Sequence, residues 1–425
     1  MLLILEALLH DNKRITHIPV NTRHRIRQLT YFRMIHSSDL VCWESTRMDR
    51  RCFLILCHLL RTRADLESTE HVDVEEMVAL FLHVLAHDVK NRQIQREFVR
   101  SSEIVPQHFN MVLMAVLRLH DELLATPQPI TSGCIDMRWH CFEVRRKELT
   151  VSLTNFSKLC KIRNCVPYLL QNCIGALDDM YIKVNVSAVD RPRYRTRKGE
   201  VATNFLGVCD TKGDFVFILA GWEGSAANSR NLRDALSRPN GLKVLKVPYK
   251  GQRYHLQEWR GTGNAPETPK EFFNMKHSSA WNVIERASGL LKGCWAILRE
   301  KSYYPVEVQC PTIMACCLLH NLINREITYI NELDDEDDGD STHATTSGDD
   351  ITYIEPSNEW TEWRDALASS MFTEWQLHAP YSRRTPKQAI SALRRTVLRV
   401  RKRSSHEGPC EDLCRHQFKR VGQLR

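Results

Sequence analysis

Two acidic residues stand where they could form a metal-dependent site. Asp178 lies at the centre of CIGALDDMYIKV (173–184), which predicts a buried strand, and Glu285 lies in KHSSAWNVIERASGLLKGCW (276–295), which has a helical pattern. Hard divalent cations such as Mg²⁺ and Mn²⁺ prefer carboxylate ligands, and cations so held support phosphoryl chemistry. Such a site normally needs a third acid, and the intervening stretch GLKVLKVPYKGQRYHL (241–256) contains none.

The pattern leaves open which of two adjacent aspartates would face this site. Consecutive side chains of a strand point to opposite faces, so Asp178 and Asp179 cannot both face it. Glu285 lies near the edge of an apolar helical stripe, where a glutamate is most often a solvated residue. The spacing therefore offers Asp178 and Glu285 as candidate metal ligands without choosing between the two aspartates.

A basic segment follows Asp178 closely in the sequence. In DRPRYRTRKGE (190–200), four arginines alternate with other residues, and a lysine follows the last of them. If the segment is extended, this alternation places the arginines on one side, where they can follow a phosphate backbone. The alternative is a solvated edge strand that is protected by its charges. The residues expected to contact DNA are Arg193, Arg195, Arg197 and Lys198.

The elements predicted around these residues belong to the α/β class. After the first strand, VATNFLGVCD and DFVFILAG are predicted as two further strands that are joined by the hairpin signal TKG. Helical patterns follow at 225–237, 277–298 and 311–326. Three strands followed by helices that cover one sheet predict an RNase H-like nuclease core, with a mixed sheet flanked by helices.

The N-terminal part predicts a small all-α, helix-turn-helix-like domain at 30–125. VDVEEMVALFLHVLAHDV (72–89) has apolar residues at helical spacing after an acidic first turn. Residues 91–124 then divide into a short helix, a break at Arg100–Ser102 and a longer helix that Ser101 or Ser102 could cap. The alternative is an ordinary helical hairpin, because the first turn of the longer helix lacks Arg, Lys or Asn to read base edges.

Charge and composition limit the class of protein. The 425 residues carry a formal net charge of +8, which is compatible with an anionic partner. Thirteen acids and no Lys or Arg occur from Glu326 to Trp363, whereas thirteen basic residues and three acids occur from Gln376 to Arg425. The fifteen cysteines are scattered, which favours reduced thiols in an intracellular protein. No apolar run reaches the ~18 residues of a membrane span, so no membrane association is expected.

Six sequence blocks occur in an order that is typical of one known family. The blocks are GALDDMYIKV, RYRTRKGE with ATNFLGVCD, GWEGSAANSRNLRDAL, GQRYHLQEW, EFFNMKHSSAWNVIERASGLLK and ACCLLHNLI. They resemble the plant Harbinger-type (PIF) transposase-derived nucleases, over roughly residues 30–125 and 172–375. The resemblance implies a nuclear protein with a DDE core, in which two aspartates and a glutamate hold Mg²⁺ or Mn²⁺ for DNA cleavage. Asp178 matches the first aspartate and Glu285 the glutamate, and a Myb/SANT-like nuclear protein is the implied partner.

The resemblance also identifies what this chain lacks. In the family, the second aspartate ends a strand between blocks like RPNGLKV and PYKGQRYHL, and here almost nothing separates these blocks. From Ala235 to Ile284 there is no aspartate, and Glu258 is the first glutamate after the junction at 244–248. We therefore predict a nuclease-family protein that is catalytically impaired. The alternative is a non-catalytic nuclear factor, domesticated from a transposase, that binds DNA or protein.

These observations divide the chain into predicted segments. They are an N-terminal extension at 1–29, the helical domain at 30–125, a linker and insertion at 126–171, the nuclease domain at 172–326, an acidic disordered linker at 327–360, a Trp-rich segment at 361–380 and a basic tail at 381–425. The tail's Arg and Lys residues suit nuclear import or non-specific nucleic-acid binding.

Overall fold

The computed structural model describes the greater part of both predicted domains. The described residues are 30–125, 139, 175–238, 249, 251–259, 264–326 and 358–382. Several predictions lie outside these residues. They concern 1–29, the linker and insertion at 126–171 apart from residue 139, the 244–248 junction, 327–357 and the tail from 383. The described residues form two compact units, one within 30–259 and 274–326 and the other within 264–273 and 358–382.

Short helices form the N-terminal part of the first unit. Their bounds are Asp39–Thr46 (α1), Arg50–Thr62 (α2), Val74–His87 (α3), Asn91–Glu97 (α4), Ile104–Arg118 (α5) and His120–Leu123 (α6). Ser38 and Asp49 cap α1 and α2, because each side chain accepts a hydrogen bond from a backbone amide in the first turn. Almost every residue of α3 is buried, which makes α3 the central helix of this part.

The turn between α4 and α5 differs from the prediction. α5 begins at Ile104 after Glu103, and it has no side-chain cap, so the prediction of a cap by Ser101 or Ser102 is wrong. A buried ion pair orders the turn instead. The Arg100 guanidinium donates to both carboxylate oxygens of Glu76, at 2.6 and 2.5 Å. α4 and α5 are therefore consecutive helices with a fixed turn, and a DNA-reading role for them remains a prediction.

A three-stranded antiparallel sheet forms the next part of this unit. Its strands are Ala176–Lys183 (β1), Ala202–Cys209 (β2) and Phe215–Glu223 (β3), in the spatial order β1-β2-β3. All three predicted strands are therefore present. Within the described ranges the pairing of this sheet is antiparallel throughout, so the predicted mixed sheet is not seen there.

Helices flank this sheet. Their bounds are Arg191–Tyr194 (α7), Asn228–Ser237 (α8), Pro269–Cys294 (α9) and Val306–Glu326 (α10), with 3₁₀ turns at Leu256–Trp259 and Ala296–Leu298. One face of the sheet packs Leu206 and Val208 of β2 against Leu232 and Ala235 of α8. This packing follows from the amphipathic pattern of α8, whose apolar residues recur at helical spacing.

α10 joins the helical part to the sheet. It packs against β3 and α5, and the Asn321 amide bonds to both the N–H and the carbonyl of Phe215 at 2.7 Å and to the Leu123 carbonyl at 3.0 Å. By length and composition α10 is apolar enough to cross a membrane, but most of it is buried inside the fold, as in a core helix.

The second unit is small and aromatic. It contains the helix Asn358–Ser382 (α11), which covers the predicted Trp-rich segment. The ring of Phe272 lies 6.0 Å from that of Phe372 and 5.1 Å from that of Trp375, measured between centroids. Aromatic side chains bury large apolar areas, so these ring contacts stabilise α11 against Phe272.

Candidate active site

The two aspartates of β1 lie on opposite faces of the sheet, and their partners distinguish them. Asp179 is buried beneath α8, where Asn231 Nδ2 donates to its Oδ1 at 3.5 Å. Asp178 lies partly buried on the other face, and its Oδ1 accepts a hydrogen bond from the Asp179 amide at 2.9 Å. The Asp178 carboxylate interacts electrostatically with Glu285 and Lys292 of α9. The structure therefore brings Asp178, and not Asp179, together with Glu285.

Side chains along one face of α9 hold it against β1. Trp281 Nε1 donates a hydrogen bond to the carbonyl of Leu177 at 3.2 Å, and Lys292 Nζ donates to the carbonyl of Tyr181 at 3.3 Å. Glu285 comes four residues after Trp281 and seven before Lys292, so the three side chains share one face of the helix. This spacing presents Glu285 to the strand.

Burial dominates the electrostatics of the two carboxyl groups. Burial, together with repulsion from Asp179 and Glu285, raises the pKa of Asp178 to about 8, and Lys292 opposes this change. Burial also raises the pKa of Glu285 to about 7. Two acids that repel each other in a partly buried site are better accommodated when a cation neutralises them.

The segment that follows the junction lies along α9. The Asn274 side chain accepts a hydrogen bond from the Tyr249 amide at 2.8 Å and donates to the carbonyls of Tyr249 and Arg253 at 3.0 and 3.1 Å. One helical turn later, His277 Nδ1 lies 3.1 Å from the hydroxyl of Tyr254. Asn274 and His277 thus fasten this segment to the helix that carries the glutamate.

Tyr254 stands beside the two carboxylates. Burial raises the pKa of its hydroxyl, and the charges of Asp178 and Glu285 raise it further. Glu258, the first acid after the junction, has a local role instead. It is exposed, and its Oε2 accepts hydrogen bonds from the amides of Tyr254 and His255 at 2.8 and 2.9 Å. Glu258 therefore stabilises a turn and does not replace the missing aspartate.

The donor set fits one hard divalent cation and does not fit two. Asp178 and Glu285 offer carboxylate oxygens, and Mg²⁺ is often bound through one or two carboxylates and several waters. A pair of cations ~3.5–4 Å apart needs more carboxylates than these. Where the structure describes the chain, no group of three or more His, Cys, Asp or Glu side chains is arranged to hold a metal. A single bound cation would supply positive charge to a phosphate.

The basic segment does not form the expected extended stripe. Arg193 lies on the short helix α7, where it pairs with Glu223 and lies 3.7 Å from Asp190. Arg195 pairs with Val201 in an antiparallel bridge that closes a loop. The expectation that alternating arginines share one extended face is therefore wrong, because a helical turn interrupts the alternation.

Two of the four predicted DNA contacts instead occupy a turn. The Gly199 amide donates to the Thr196 carbonyl at 2.9 Å, and Gly199 has φ 85°, which suits glycine. Arg197 and Lys198 lie between these residues and are exposed. The turn thus presents two adjacent cationic side chains to solvent.

The sequence reasoning missed three members of this neighbourhood, which are Tyr254, His277 and Lys292. For Lys292 the signal was available, because a residue seven positions after Glu285 shares its helix face. For Tyr254 and His277 no periodic signal exists, because their contact joins a loop to a helix. Only the tertiary fold places the Tyr254 hydroxyl beside the imidazole ring of His277.

Comparison with known protein families divides the chain in two. Residues 29–118 match a family described only as a domain of unknown function. Residues 177–321, which contain both Asp178 and Glu285, match the family described as DDE superfamily endonuclease. No solved structure matches the chain.

Curated relatives come from a plant and from vertebrates. The chain is 28% identical to Protein ALP1-like of Arabidopsis thaliana over 44% of this chain and 52% of that protein. It is 30% identical to HARBI1 of Bos taurus, which is named as a candidate nuclease, over 35% of this chain and 45% of that protein. It is 28% identical to the Arabidopsis thaliana protein Antagonist of Like Heterochromatin Protein 1, over 39% of this chain and 47% of that protein.

The match to the endonuclease family covers the sheet, the helices beside it and both candidate carboxylates. The chain spans about half the length of the curated relatives it matches. The resemblance to Harbinger transposase-derived nucleases, which the sequence blocks indicated, is confirmed at the level of the family. Residues 177–321 thus match the DDE superfamily endonuclease family, and this part of the chain is similar to Harbinger transposase-derived proteins.

Proposed function

We propose that this chain binds DNA and one divalent cation, Mg²⁺ or Mn²⁺, and that its DNA-cleaving activity is impaired. One observation carries the proposal: β1 and α9 bring Asp178 and Glu285 together, and the described residues supply no third acid to them. A carboxylate that positions and neutralises a cation is not easily replaced, so two acids should not sustain normal turnover.

The fold supports an RNase H-like core for this domain. An antiparallel sheet with α8 on one face, and with α9 bearing the glutamate against the first strand, is compatible with such a core. We also propose a helix-turn-helix function for α4 and α5. Support for it is limited to two consecutive helices joined by a turn that the Arg100–Glu76 pair fixes.

DNA is the proposed macromolecular partner. The endonuclease family supports a DNA substrate, and the exposed turn with Arg197 and Lys198 offers cationic side chains for phosphate. One relative is named as an antagonist of a heterochromatin protein, which supports a chromatin-bound partner. A nuclear location is part of our proposal. A Myb/SANT-like protein is our specific proposal for that partner.

A non-catalytic DNA-binding or protein-binding factor is the second candidate function. The observation that favours it is the same incomplete acid set, because a transposase-derived domain can keep its basic surface after it loses turnover. The two candidates differ in one property. Only the first requires that a cation binds at Asp178 and Glu285.

Titration of Mn²⁺ into the full chain tests the proposal. Asp178→Asn and Glu285→Gln should each weaken binding, because each removes a negatively charged ligand. Asp179→Asn is the matched control, since it removes a neighbouring charge on the opposite face but no ligand, and it should weaken Mn²⁺ binding less than either ligand variant does. If Asp178→Asn binds Mn²⁺ as tightly as the wild type does, the metal site is wrong and the non-catalytic factor is favoured.

A further inference from the structure

We propose that Tyr254, oriented by His277, holds the water shell of the cation that Asp178 and Glu285 bind. This inference rests on the proposed function, because it assigns a further positioning residue to the same site. The ligand is a hydrated divalent cation. Tyr254 contributes through a cation-bound water and does not bind the metal directly.

The position of Tyr254 is fixed from two sides. Its backbone amide donates to Glu258 Oε2 at 2.8 Å, and its hydroxyl meets His277 Nδ1 at 3.1 Å. Just before it, the Arg253 carbonyl accepts from the Asn274 side chain at 3.1 Å. Because Asn274 is fully buried, this anchor is rigid, and the phenol ring is held against α9.

The helix that holds Tyr254 also carries Glu285. His277 precedes Glu285 by eight residues, about two helical turns, so both side chains lie along the same side of α9. Trp281 lies between them and hydrogen-bonds to Leu177, the residue before Asp178. The phenol hydroxyl is therefore held on the side of α9 that carries Glu285 and that Trp281 ties to β1.

Among the described side chains, the Tyr254 hydroxyl hydrogen-bonds to His277, while the charges of Asp178 and Glu285 raise the pKa of that hydroxyl. Polar groups that lie beyond direct hydrogen-bonding distance can be bridged by water. Mg²⁺ gives up its waters reluctantly and is often held through one or two carboxylates plus waters.

The chemistry of the pair suits an outer-sphere role. A Tyr hydroxyl can donate and accept at the same time. When it exchanges one hydrogen bond with His277, it retains capacity for a water on its other side. Groups that orient a metal's ligands in this way typically affect metal affinity by 10–100-fold. Such a hydroxyl would thus partly compensate for the missing acid in binding, but it adds no negative charge for catalysis.

The test measures Mn²⁺ alone, with the full chain and no nucleic acid. Free Mn²⁺ is counted by electron paramagnetic resonance, and the hydration of bound Mn²⁺ is followed by water-proton relaxation. Tyr254→Phe should weaken Mn²⁺ affinity ~10-fold and change the relaxation of the bound ion. His277→Gln should weaken affinity in the same direction. Tyr303→Phe is the matched control, since Tyr303 is exposed and lies against Lys90, and it should change neither quantity.

The outcomes distinguish the role of Tyr254 from the proposed cation site at Asp178 and Glu285. If Asp178→Asn weakens binding while Tyr254→Phe matches the wild type in affinity and relaxation, the role of Tyr254 is wrong and the metal site stands. If Asp178→Asn has no effect, the metal site itself is wrong. Thermal unfolding of each variant checks folding. If Tyr254→Phe does not fold, His277→Gln decides, and wild-type affinity in that variant overturns the inference.

Discussion

The indole of Trp281 donates a hydrogen bond to the backbone carbonyl of Leu177 at 3.2 Å, which ties α9 to β1 directly beside Asp178. Trp281→Phe removes this bond and keeps an aromatic ring. We expect it to lower the free energy of unfolding by ~1 kcal/mol and to weaken Mn²⁺ binding, because Glu285 is then less firmly placed. Urea denaturation and Mn²⁺ titration measure the two effects.

Trp222→Phe is the matched control for that prediction. The Trp222 indole makes a comparable hydrogen bond, to Asp234 of α8 at 3.0 Å, and α8 packs on the face away from Asp178. Its loss should cost a similar free energy of unfolding without a change in Mn²⁺ affinity. Equal losses of Mn²⁺ affinity in both variants would contradict a specific role for Trp281.

The buried ion pair of Arg100 and Glu76 leads to a second prediction, which concerns the stability of the fold. Both side chains are almost fully buried, so Glu76→Gln leaves an arginine charge without its partner and should cost ~3–5 kcal/mol. Glu76→Leu combined with Arg100→Met should recover much of that loss, because it removes both charges. Denaturant unfolding of the single and double variants gives the comparison.

An exposed ion pair is the control for this second prediction. The Asp39 carboxylate and the Arg50 guanidinium lie 2.7 Å apart on the surface. Asp39→Asn should lower the free energy of unfolding far less than Glu76→Gln does, because water screens an exposed pair. If Glu76→Gln lowered the free energy of unfolding as little as Asp39→Asn does, the α4–α5 turn would not depend on its buried pair.

The burial of His320 leads to a prediction of how the free energy of unfolding changes with pH. It is buried on α10, where its Nε2 lies 3.3 Å from the Gly213 carbonyl and its ring packs edge-on to Phe215. Burial lowers the pKa of His320 from 6.5 to about 4. Between these values the unfolded chain binds the proton and the folded chain does not. The free energy of unfolding should therefore fall as pH drops from 6.5 to 4, by ~3 kcal/mol from this group.

His320→Gln isolates this contribution. The loss of stability between pH 6.5 and 4 should be ~3 kcal/mol smaller in the variant than in the wild type. His58→Gln, at an exposed position of α2, should leave the wild-type profile intact. Parallel profiles for the wild type and His320→Gln would show that the histidine does not resist protonation in the fold.

DNA binding should depend on the turn that follows α7. Phosphate contacts release counterions, so affinity should fall steeply with salt, and each lost contact should flatten the log–log slope by roughly one unit. Arg193 lies on α7, where it pairs with Glu223, and it is left unchanged. The test variant replaces Arg195, Arg197 and Lys198, which follow that helix and are exposed, with Ala.

A triple variant at α8 is the matched control for DNA binding. It replaces Arg230 and Arg233 of α8 and Arg238, which follows the helix and pairs with Asp234. All three are exposed, and the variant removes the same number of charges. Fluorescence anisotropy with duplex DNA at several salt concentrations gives both slopes. A flatter slope in the control alone would place the DNA on α8, and unchanged slopes in both would favour the basic tail.

The sequence predicted the order and type of the elements around the site. Strand alternation and helical spacing are local properties, so β1 to β3 and α8 to α10 were all anticipated, with shifts at their ends. The same alternation could not choose between Asp178 and Asp179. That choice depends on which helix covers which face, and only tertiary packing of α8 over Asp179 decides it.

Three further features could not be obtained from local patterns. The arginines of 190–200 alternate, yet a helical turn at Arg191–Tyr194 overrides the extended conformation that the alternation suggested. Ser101 is a good capping residue, but α5 begins only at Ile104, and the turn before it contains the long-range ion pair of Arg100 and Glu76. The contact of Tyr254 with His277 joins residues 23 positions apart in the chain. Long-range contacts of this kind leave no periodic signal.

Nicking of supercoiled plasmid in Mg²⁺ or Mn²⁺ tests the central claim most directly. The claim is that Asp178 and Glu285 form a cation site that lacks the third acid needed for turnover. The full chain should nick no faster than the double variant Asp178→Ala, Glu285→Ala. Nicking by the wild type that the double variant abolishes would contradict the account, because an acid beyond these two would then complete the site.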